Sequence, residues 1–424
     1  MRGNARVWGR MMLTAAVAAS CQTADPRGVD RSMDVADAQD AGPPPASTSL
    51  VLRRVFPSGP GGVTPEWESE IDLDVRNLPA VRTLSIGPGD DMWIAGRFSA
   101  PLALGATTLA RVGPSDVFVT RLDPLGRPRW ARRLGGPGGD ACGGTALDAE
   151  GNVIVAYQDV STGPVMLEKL GPDGDLLWQK PLPTPAGEDF GGRVRAAGAD
   201  RAGGMVLVTS SVDDQFVVRL DPNGDVLWRT RVPLSDKDPV GVAVDGAGWA
   251  FVGAASTTGG SDPLLKVSPS GSLGLLARLH GTEGYAAFRD IAADPMGNVL
   301  LSGGMGGSFG FRPTPPEHRH DPWIAKLNRS GTLRWEVFGV SGRVAADDAG
   351  NVLCANAGSV GKLDPQGSWI WQHAMHIDGE VGAVAADSAG RVIYAGRFEG
   401  RADFGDGPVD SGEHGALFVA ALAP

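Results

Sequence analysis

Short apolar segments alternate with polar turns of the form Asp-x-x-Gly along most of the chain. A strand of small residues comes first, such as Val344-Ala345-Ala346, and an apolar strand such as Val352-Leu353-Cys354 follows the turn. Asp is favoured at the first position of a type I turn and Gly at the fourth, so each segment predicts a β-hairpin. The first turn residue recurs as Asp148, Asp200, Asp245, Asp294, Asp347 and Asp387, and a degenerate seventh copy has Gly87 in this place.

A third segment of each repeat ends in a basic residue followed by an aliphatic one, as in residues 117–122. Its alternation of polar and apolar positions is typical of a half-buried strand and predicts that the basic side chains face outward. A second turn follows, and a bulky residue comes four positions after its Gly. These bulky residues are Trp130, Trp178, Trp228, Trp335 and Trp371, with Leu275 in one copy and Trp67 as a seventh copy by spacing. An indole at one fixed position predicts packing between neighbouring repeats rather than stacking on a ligand.

Seven units of four short strands predict an all-β fold, a seven-bladed β-propeller of four-stranded antiparallel blades, as a single domain over residues 50–424. The chain ends after its seventh third-strand copy, so its last blade lacks a fourth strand. We expect residues 65–74, around Trp67, to complete the blade formed by residues 381–422 and so to close the ring between the N-terminal and C-terminal segments. Residues 52–59 resemble a further third strand, which either caps the closing blade from outside or exchanges roles with the C-terminal strand.

The N-terminal region has the features of an export signal. Residues 1–21 combine a basic start with a short apolar run and small residues, as a signal peptide does. Residues 17–21 resemble a bacterial lipobox, which implies lipid attachment at Cys21, with plain secretion or a cytoplasmic protein as the alternatives. Residues 22–49 are rich in Asp, Ala, Pro and Ser and predict a disordered tether. We therefore expect an exported protein of the cell envelope, an outer-membrane lipoprotein on either the periplasmic or the outer surface.

The net charge and the distribution of hydrophobic residues limit the classes of partner that we expect. The net charge is -11, which argues against a nucleic-acid partner. No apolar run approaches the roughly 20 residues that a membrane span needs, so we expect contact with the membrane only through the lipid anchor. Cys142 and Cys354 lie at different repeat positions and are expected to be small buried residues rather than a disulfide.

The repeat also resembles a known family. Residues 116–130, with Gly96-Arg97-Phe98 and Gly396-Arg397-Phe398, are similar to bacterial seven-bladed propeller repeats of the SBBP type. This resemblance implies an exported bacterial protein and says more about fold than about function. The Gly-x-x-x-Trp feature is also similar to propellers like the quinoprotein dehydrogenases and to the outer-membrane lipoprotein that assists β-barrel assembly, although this chain has no Thr before the Gly.

The sequence contains few candidate residues for catalysis or metal binding. His318, His320 and Asp321 form the one cluster with metal-ligand character, in the longest insertion, where a solvated loop is the simpler interpretation because a zinc site needs further ligands. Asp-rich turns such as residues 221–225 lack the additional oxygen ligands of a calcium loop. No nucleophile elbow, His-Glu-x-x-His motif or phosphate loop occurs, so we expect no cofactor and no enzymatic activity.

These observations favour a monomeric, membrane-tethered propeller that acts as a binding scaffold for a protein or a glycan. Two alternatives stay open at this point. One is an exported propeller enzyme, such as a lyase, a hydrolase or a quinoprotein-like protein, which would need acids, histidines or a cofactor at one mouth of the axis. The other is a lipoprotein of envelope assembly.

Overall fold

Seven antiparallel β-sheets stand around one axis and form a seven-bladed β-propeller. The computed structural model describes residues 49–57, 80–159, 163–183, 193–200, 203–210, 214–234, 237–256, 262–281, 286–305, 309–310, 321–412 and 415–424. The regular elements in these residues are β-strands and one 3-10 turn, Pro88–Asp90. The prediction of an all-β propeller with four-stranded antiparallel blades is therefore confirmed. No helix in the described residues is long and apolar enough to cross a membrane.

The strands of the first three blades follow one another in chain order. After β1 (Leu50–Pro57), blade 1 contains β2 (Ala80–Ile86) and β3 (Met92–Phe98), a small hairpin of β4 (Leu102–Leu104) and β5 (Thr107–Leu109), and then β6 (Asp116–Leu122) and β7 (Pro128–Leu134). Blade 2 contains β8 (Asp140–Leu147), β9 (Val153–Asp159), β10 (Val165–Leu170) and β11 (Leu176–Pro181). Blade 3 contains β12 (Arg193–Ala199), β13 (Met205–Ser210), β14 (Gln215–Leu220) and β15 (Val226–Val232).

The remaining blades repeat this arrangement. Blade 4 contains β16 (Lys237–Val244), β17 (Ala250–Ser256), β18 (Asp262–Val267) and β19 (Leu273–Gly281). Blade 5 contains β20 (Ala286–Ala293) and β21 (Val299–Met305), then β22 (Phe309–Gly310), which pairs with β19 of blade 4, and β23 (Trp323–Leu327) and β24 (Leu333–Phe338). Blade 6 contains β25 (Arg343–Ala346), β26 (Val352–Ala355), β27 (Ser359–Leu363) and β28 (Trp369–Ala374). Blade 7 contains β29 (His376–Ala386), β30 (Val392–Asp403), the short β31 (Pro408–Asp410) and β32 (Ala416–Leu422).

The first strand of each blade lies innermost. β2, β8, β12, β16, β20, β25 and β29 contact one another in a closed ring. These strands approach closely enough that small residues are required at several points. A Cβ on Gly144 would lie 2.6 Å from the Cβ of Ala197 on the next inner strand, and one on Gly241 would lie 2.8 Å from Ile291. Crowding at the axis thus explains the small-residue strand of the repeat.

β1 closes the ring, and this corrects one prediction from the sequence. It pairs antiparallel with β32, so blade 7 has the order β29-β30-β32-β1. The N-terminal and C-terminal segments pair as predicted, but the strand on β32 is β1, at the edge where residues 65–74 were expected; residues 65–74 lie outside the described residues. Leu52 and Phe56 on one face of β1 are buried against blade 1, which gives this strand its packing energy. Trp67 lies outside the described residues.

The core consists of the layers between adjacent blades. One cluster joins Phe251 and Leu264 of blade 4 to Ile291, Leu301 and Trp323 of blade 5. Phe288 and Trp323 in this layer meet edge to face, with ring centroids 6.3 Å apart. Each blade is therefore stabilised by both of its neighbours.

The antiparallel strand order gives the propeller two different faces. The turns between first and second strands and between third and fourth strands lie on one side, which we call the turn face. The connections between second and third strands and between successive blades lie on the other side, which we call the loop face. The turn face carries the short Asp-x-x-Gly turns, whereas the loop face carries the long connections, including residues 99–115.

Candidate functional site at the axial mouth

On the turn face, the aspartates of the repeat hold the hairpins. Asp294 Oδ1 accepts backbone N–H bonds from Met296 (2.9 Å) and Asn298 (2.8 Å). The N–H of Gly297 donates to the carbonyl oxygen of Asp294, and Gly297 has a φ of 79°, which favours glycine. The same pair of side-chain bonds recurs at Asp148, Asp245, Asp347 and Asp387, and Asp200 accepts one of them from Gly204.

The second carboxylate oxygen of the turn binds the basic residue of the third strand. Lys326 Nζ lies 2.9 Å from Asp294 Oδ2, and Lys362 Nζ lies 3.2 Å from Asp347 Oδ2. Both lysines are buried, so the prediction that these basic residues face outward is wrong. Their aliphatic stems run within the blade and bring the ammonium groups to the buried carboxylates of the turn. Equivalent pairs join Lys169 to Asp148 and Arg219 to Asp200.

These basic residues also link neighbouring blades. Lys362 Nζ donates to the carbonyl oxygen of Gly390 in blade 7 (3.1 Å), and Arg219 Nη1 donates to that of Gly248 in blade 4 (2.7 Å). Burial alone raises the pKa of Asp347, but hydrogen bonds from Asn351 and Lys362 outweigh it and hold the pKa below its usual value. Asp347 is therefore a structural carboxylate, and its contacts favour the ionised form.

In blade 1, the turn carboxylate comes from a residue that was not predicted from the sequence. This turn has the same length and backbone hydrogen bonds as the others, but Asp91, four positions after Gly87, supplies the carboxylate, with Arg121 Nε 2.7 Å from Asp91 Oδ2. Asp90 in the same turn accepts bonds from the N–H (2.9 Å) and the hydroxyl (2.7 Å) of Ser388 in blade 7. An acidic residue four positions after Gly87 was the available signal.

Tryptophans of the fourth strand pack on the turn of the following blade. Trp130 Nε1 donates to the carbonyl oxygen of Pro172 (2.7 Å), and its ring lies against Gly174, where a Cβ would come within 2.8 Å of it. Trp228 and Trp335 make the same bond to Pro269 (2.7 Å) and Pro365 (3.0 Å). Trp178 lies against Gly224 in the same way, and Trp371 is buried in the layer between blades 6 and 7.

Blade 4 departs from this tryptophan pattern. The sequence analysis placed Leu275 in the position of the indole, but Leu275 is 49% exposed. Leu276 is buried instead, and it lies against Gly331 in the turn of blade 5. In blade 4 the irregularity in the pairing of β18 with β19 lies at Leu264/Leu265, two residues before the corresponding position Lys266/Val267, and the packed side chain is Leu276 instead of Leu275.

The loop face differs because the inner strands carry charged residues near it. Six of the seven inner strands contain a register irregularity, and the residue at this bulge lies five positions before the turn aspartate or its equivalent. The bulge residues are Arg82, Gly143, Arg195, Val240, Arg289 and Gly382. A bulge turns a side chain away from the alternation of the strand and is frequent beside binding sites. Arginine therefore occupies one and the same position in blades 1, 3 and 5.

Arg82 spans part of the axial mouth. Its Nη2 donates to the carbonyl oxygen of Arg195, two blades away, at 2.6 Å. Burial lowers the pKa of the Arg82 guanidinium, and the positive charge of Arg343 in blade 6 lowers it further, while Asp290 in blade 5 raises it. The guanidinium thus reaches blade 3 through its hydrogen bond and is influenced by charges on blades 5 and 6. The side chain is nevertheless exposed to solvent.

Asp290 and Arg343 form the opposite wall of the mouth. Arg343 Nη1 lies 3.8 Å from Asp290 Oδ1, and Asp290 Oδ2 accepts the backbone N–H of Val344 at 2.9 Å. Burial raises the pKa of Asp290, which the charge of Arg343 partly offsets. Arg195 and Arg289 start from the same bulge position as Arg82, in blades 3 and 5, and Arg195 Nε also donates to Ser210 Oγ at 2.8 Å. This arrangement attracts anions.

Neutral polar groups line the arc between blades 1 and 3. Thr145 and Thr83 share a hydrogen bond of 2.9 Å across blades 1 and 2, and Gln158 Oε1 accepts the backbone N–H of Val194 at 2.7 Å. Cys142, a free cysteine, lies near Arg82, and burial raises the pKa of its thiol to about 12. This thiol is therefore protonated and unreactive at neutral pH.

Most of the other candidate site residues from the sequence are not among the described residues. Cys21, Trp67, His318 and His320 lie outside the described residues, and Asp321 begins the segment that leads into β23. Among the described residues, no group of three or more His, Cys, Asp or Glu side chains is placed to hold a metal ion. The sequence analysis missed the arginines, although their constant distance from the turn position was visible in the chain.

Comparison with known proteins agrees on the fold. No protein-family model and no curated protein sequence matches this chain. Among solved structures, the WD40 domain of Neurospora crassa Pan2 is 12% identical with a TM-score of 0.53, over 89% of this chain and 97% of that one. The propeller of Dos1 is 10% identical with a TM-score of 0.50, over 82% of this chain and 92% of that one. Similarity at this level of identity shows the β-propeller fold alone.

Proposed function

We propose that this protein is a non-enzymatic interaction scaffold, held at the cell envelope through a lipid on Cys21, which binds a protein or a glycan through its loop face. The observation that carries this proposal is the difference between the two faces. The turn face is made of short turns whose polar groups bind one another, as in the contact of Asp294 with Lys326. The loop face has the long connections and the charged axial mouth, and connections of this kind carry binding sites on rigid scaffolds.

The proposed location at the cell envelope is based on the N-terminal residues. A signal-like segment, a lipobox-like string ending at Cys21 and a tether rich in Asp, Ala, Pro and Ser precede the propeller. The repeat's resemblance to SBBP-type propellers favours the same cellular location. Such a tether separates a folded body from a membrane surface without fixing its orientation.

Site-directed photo-crosslinking tests the binding face. Val112 lies in the connection between β3 and β6 on the loop face and is 60% exposed, whereas Met296 lies in a turn of blade 5 on the turn face and is 71% exposed. A benzoylphenylalanine at position 112 is expected to give adducts in the cell envelope that excess unlabelled protein competes away. The matched probe at position 296 is expected to give none. Equal adducts from both positions, or adducts from position 296 alone, would contradict the proposal.

Cell fractionation tests the proposed membrane location separately. The Cys21→Ser variant is expected to leave the membrane fraction and to lack the mass of an attached lipid, while its folded propeller melts as the parent does. A variant that stays in the membrane fraction would show that another segment holds the protein there.

A further inference from the structure

We infer that the axial mouth is an anion-binding site, and that Arg82 and Arg289 bind the carboxylates of a short acidic peptide segment of the partner. This inference rests on the proposed function, because it names the chemistry of the ligand that the loop face receives. It assigns a role to two bulge arginines, Arg82 and Arg289, which lie outside the Asp-x-x-Gly turns.

The charge at the mouth is opposite to that of the chain. The protein carries a net charge of -11, yet the bulge position of the inner strands is arginine in blades 1, 3 and 5. Arg343 adds a fourth cation beside Asp290, whereas Glu380 on the inner strand of blade 7 pairs with Arg397. Placing like charges together opposes folding, so a cluster of this kind is typical of a site that an anion neutralises.

The lowered pKa of Arg82 indicates that its positive charge is unfavourable in this cluster. Burial and the charge of Arg343 both lower the pKa of its guanidinium. In the described residues its hydrogen bond goes to a carbonyl oxygen, that of Arg195. A carbonyl oxygen leaves the remaining N–H groups of the guanidinium for other acceptors, since arginine has five donors. An incoming carboxylate would supply both the negative charge and two acceptor oxygens.

The geometry suits a compact ligand group better than a flat surface. The bulge arginines come from blades 1, 3 and 5 around the axis, and Arg82 already reaches blade 3. Guanidinium groups bind carboxylates through two parallel hydrogen bonds, which orients the ligand as well as attracting it. Thr83 and Thr145, which line the same mouth, offer hydroxyl groups beside this volume.

The surroundings favour a short acidic segment over a long polyanion. Asp116, Asp140 and Asp159 lie at the loop-face ends of β6, β8 and β9, where they raise the local negative potential outside the mouth. A nucleic acid or a long acidic polysaccharide would meet these carboxylates on the side of blades 1 and 2 and would also be repelled by the net charge of -11. A segment with a few carboxylates meets only the arginines at the axis.

Isothermal titration calorimetry of the full chain tests the inference with three probes. These are a capped hexapeptide of alternating Glu and Gly, its Gln analogue, and inorganic phosphate. The Glu peptide is expected to bind, with an affinity that falls as the NaCl concentration rises, because the contacts are ionic. The Gln peptide is expected not to bind, and phosphate is expected to bind more weakly than the Glu peptide.

Charge-neutral variants locate the site. Arg82→Gln combined with Arg289→Gln is expected to weaken binding of the Glu peptide by at least about tenfold, as for loss of charge-assisted hydrogen bonds. Arg334→Gln, an exposed arginine on the outer strand of blade 5, makes the same change in charge and is expected to leave binding unchanged. Arg289→Gln alone is the safeguard for folding, since Arg289 is exposed, and it is expected to weaken binding even if the Arg82 variant melts early.

Several outcomes would overturn the inference. They are no binding of the Glu peptide, equal binding of the Gln peptide, equal binding by the double variant, or phosphate binding as tightly as the Glu peptide, which would indicate a site for a small free anion. The crosslinking experiment separates this inference from the proposed function. If the adduct at position 112 persists in the double variant, the scaffold role stands and the arginine site fails. If the Glu peptide binds but position 112 gives no adduct, the arginine site stands and the scaffold role fails.

Discussion

Leu52 of β1 lies opposite Ala421 of β32, which is the register that a tryptophan holds in five other blades. The strand irregularity beside it, between Leu50 and Leu52, also recurs beside those tryptophans. Leu52 lies 3.4 Å from the position of a Cβ on Gly126, the turn glycine of blade 1, just as Trp130 lies against the turn glycine of blade 2. A segment more than three hundred residues from β32 in sequence therefore completes the last blade with the same packing contact.

Removal of β1 is expected to open the ring. Deleting residues 50–57 exposes the edge of β32 and uncovers the layer between blades 7 and 1, so the protein should melt at a lower temperature and aggregate. Deleting residues 22–45 is the matched control and should leave the melting temperature nearly unchanged. Differential scanning calorimetry of the two deletions checks this. A β1 deletion that melts cooperatively at the parent temperature would show that the ring closes without this strand.

Point variants in β1 separate packing from strand pairing. Leu52→Ala is expected to lower the free energy of unfolding by about 2–3 kcal/mol, because a buried leucine contact is lost. Val51→Ala removes an aliphatic side chain that is 49% exposed and should change stability by less than about 0.5 kcal/mol. Urea denaturation measures both. Similar losses in the two variants would indicate that the pairing of β1, and not the burial of Leu52, stabilises the closure.

Three glycines separate backbone strain from steric conflict, two of them on the turn face (Gly174 and Gly89) and one, Gly136, in the connection between blades 1 and 2 on the loop face. Gly174 has a φ of 84° and the ring of Trp130 over it, Gly89 has a φ of 71° with open space, and Gly136 has open space without a positive φ. Alanine should therefore cost most at Gly174, about 1–2 kcal/mol at Gly89, and almost nothing at Gly136. Thermal melts of the three variants give the order. Equal losses at Gly174 and Gly89 would mean that the indole moves aside without cost.

Much of this fold could be predicted because its signals are local. The turn at Asp294 and Gly297 depends on residues within one hairpin, and the chemistry of that turn is legible in four successive residues. Burial of Lys326 is different, because it depends on a carboxylate in another strand pair that only the folded blade brings within reach. The alternation along the third strand therefore indicated the wrong side for the lysine, although it identified the strand.

Ring closure and the axial mouth also depend on long-range contacts that the sequence alone does not predict. β1 and the segment around Trp67 both carry strand-like patterns, and the choice between them depends on a pairing with β32 that no local rule contains. Arg82 and Arg289 keep a constant distance from the turn in the sequence, but they lie at strand bulges, where alternation no longer gives the direction of a side chain.

Trp228 tests whether the fourth-strand tryptophans stabilise the ring. Trp228→Ala should lower the free energy of unfolding by about 2–4 kcal/mol, since the indole packs on the next blade but stays partly exposed. Trp228→Phe keeps a ring but removes the hydrogen bond to Pro269, and should cost about 1 kcal/mol. Denaturant titrations distinguish the two. Unchanged stability in Trp228→Ala together with loss of partner adducts at position 112 would identify the indole as a ligand platform.

The ion pair between Lys326 and Asp294 predicts how stability depends on pH. Burial alone raises the pKa of Asp294, but bonds from Asn298 and Lys326 outweigh it and leave the pKa below its usual value. A carboxyl with a lowered pKa in the folded state stabilises the protein above the pKa of the unfolded chain, about 4. This stabilisation is lost as the pH falls through the folded-state pKa. Asp148 and Asp347 shift in the same direction, so the propeller should lose stability steeply below about pH 4.

Variants at this pair give the sign and the size of the effect. Lys326→Met at neutral pH should cost about 3 kcal/mol, because it leaves a buried carboxylate without its cation. Adding Asp294→Asn should recover part of that loss and flatten the decline in acid, since no titrating group remains at the site. Glu168→Gln is the opposite control, because burial raises the pKa of Glu168 and its ionisation at neutral pH opposes folding. That variant should gain stability relative to the parent as the pH rises above the folded-state pKa of Glu168. Urea denaturation at a series of pH values checks all three, and an acid decline that is equally steep with and without Asp294 would show that other carboxylates cause it.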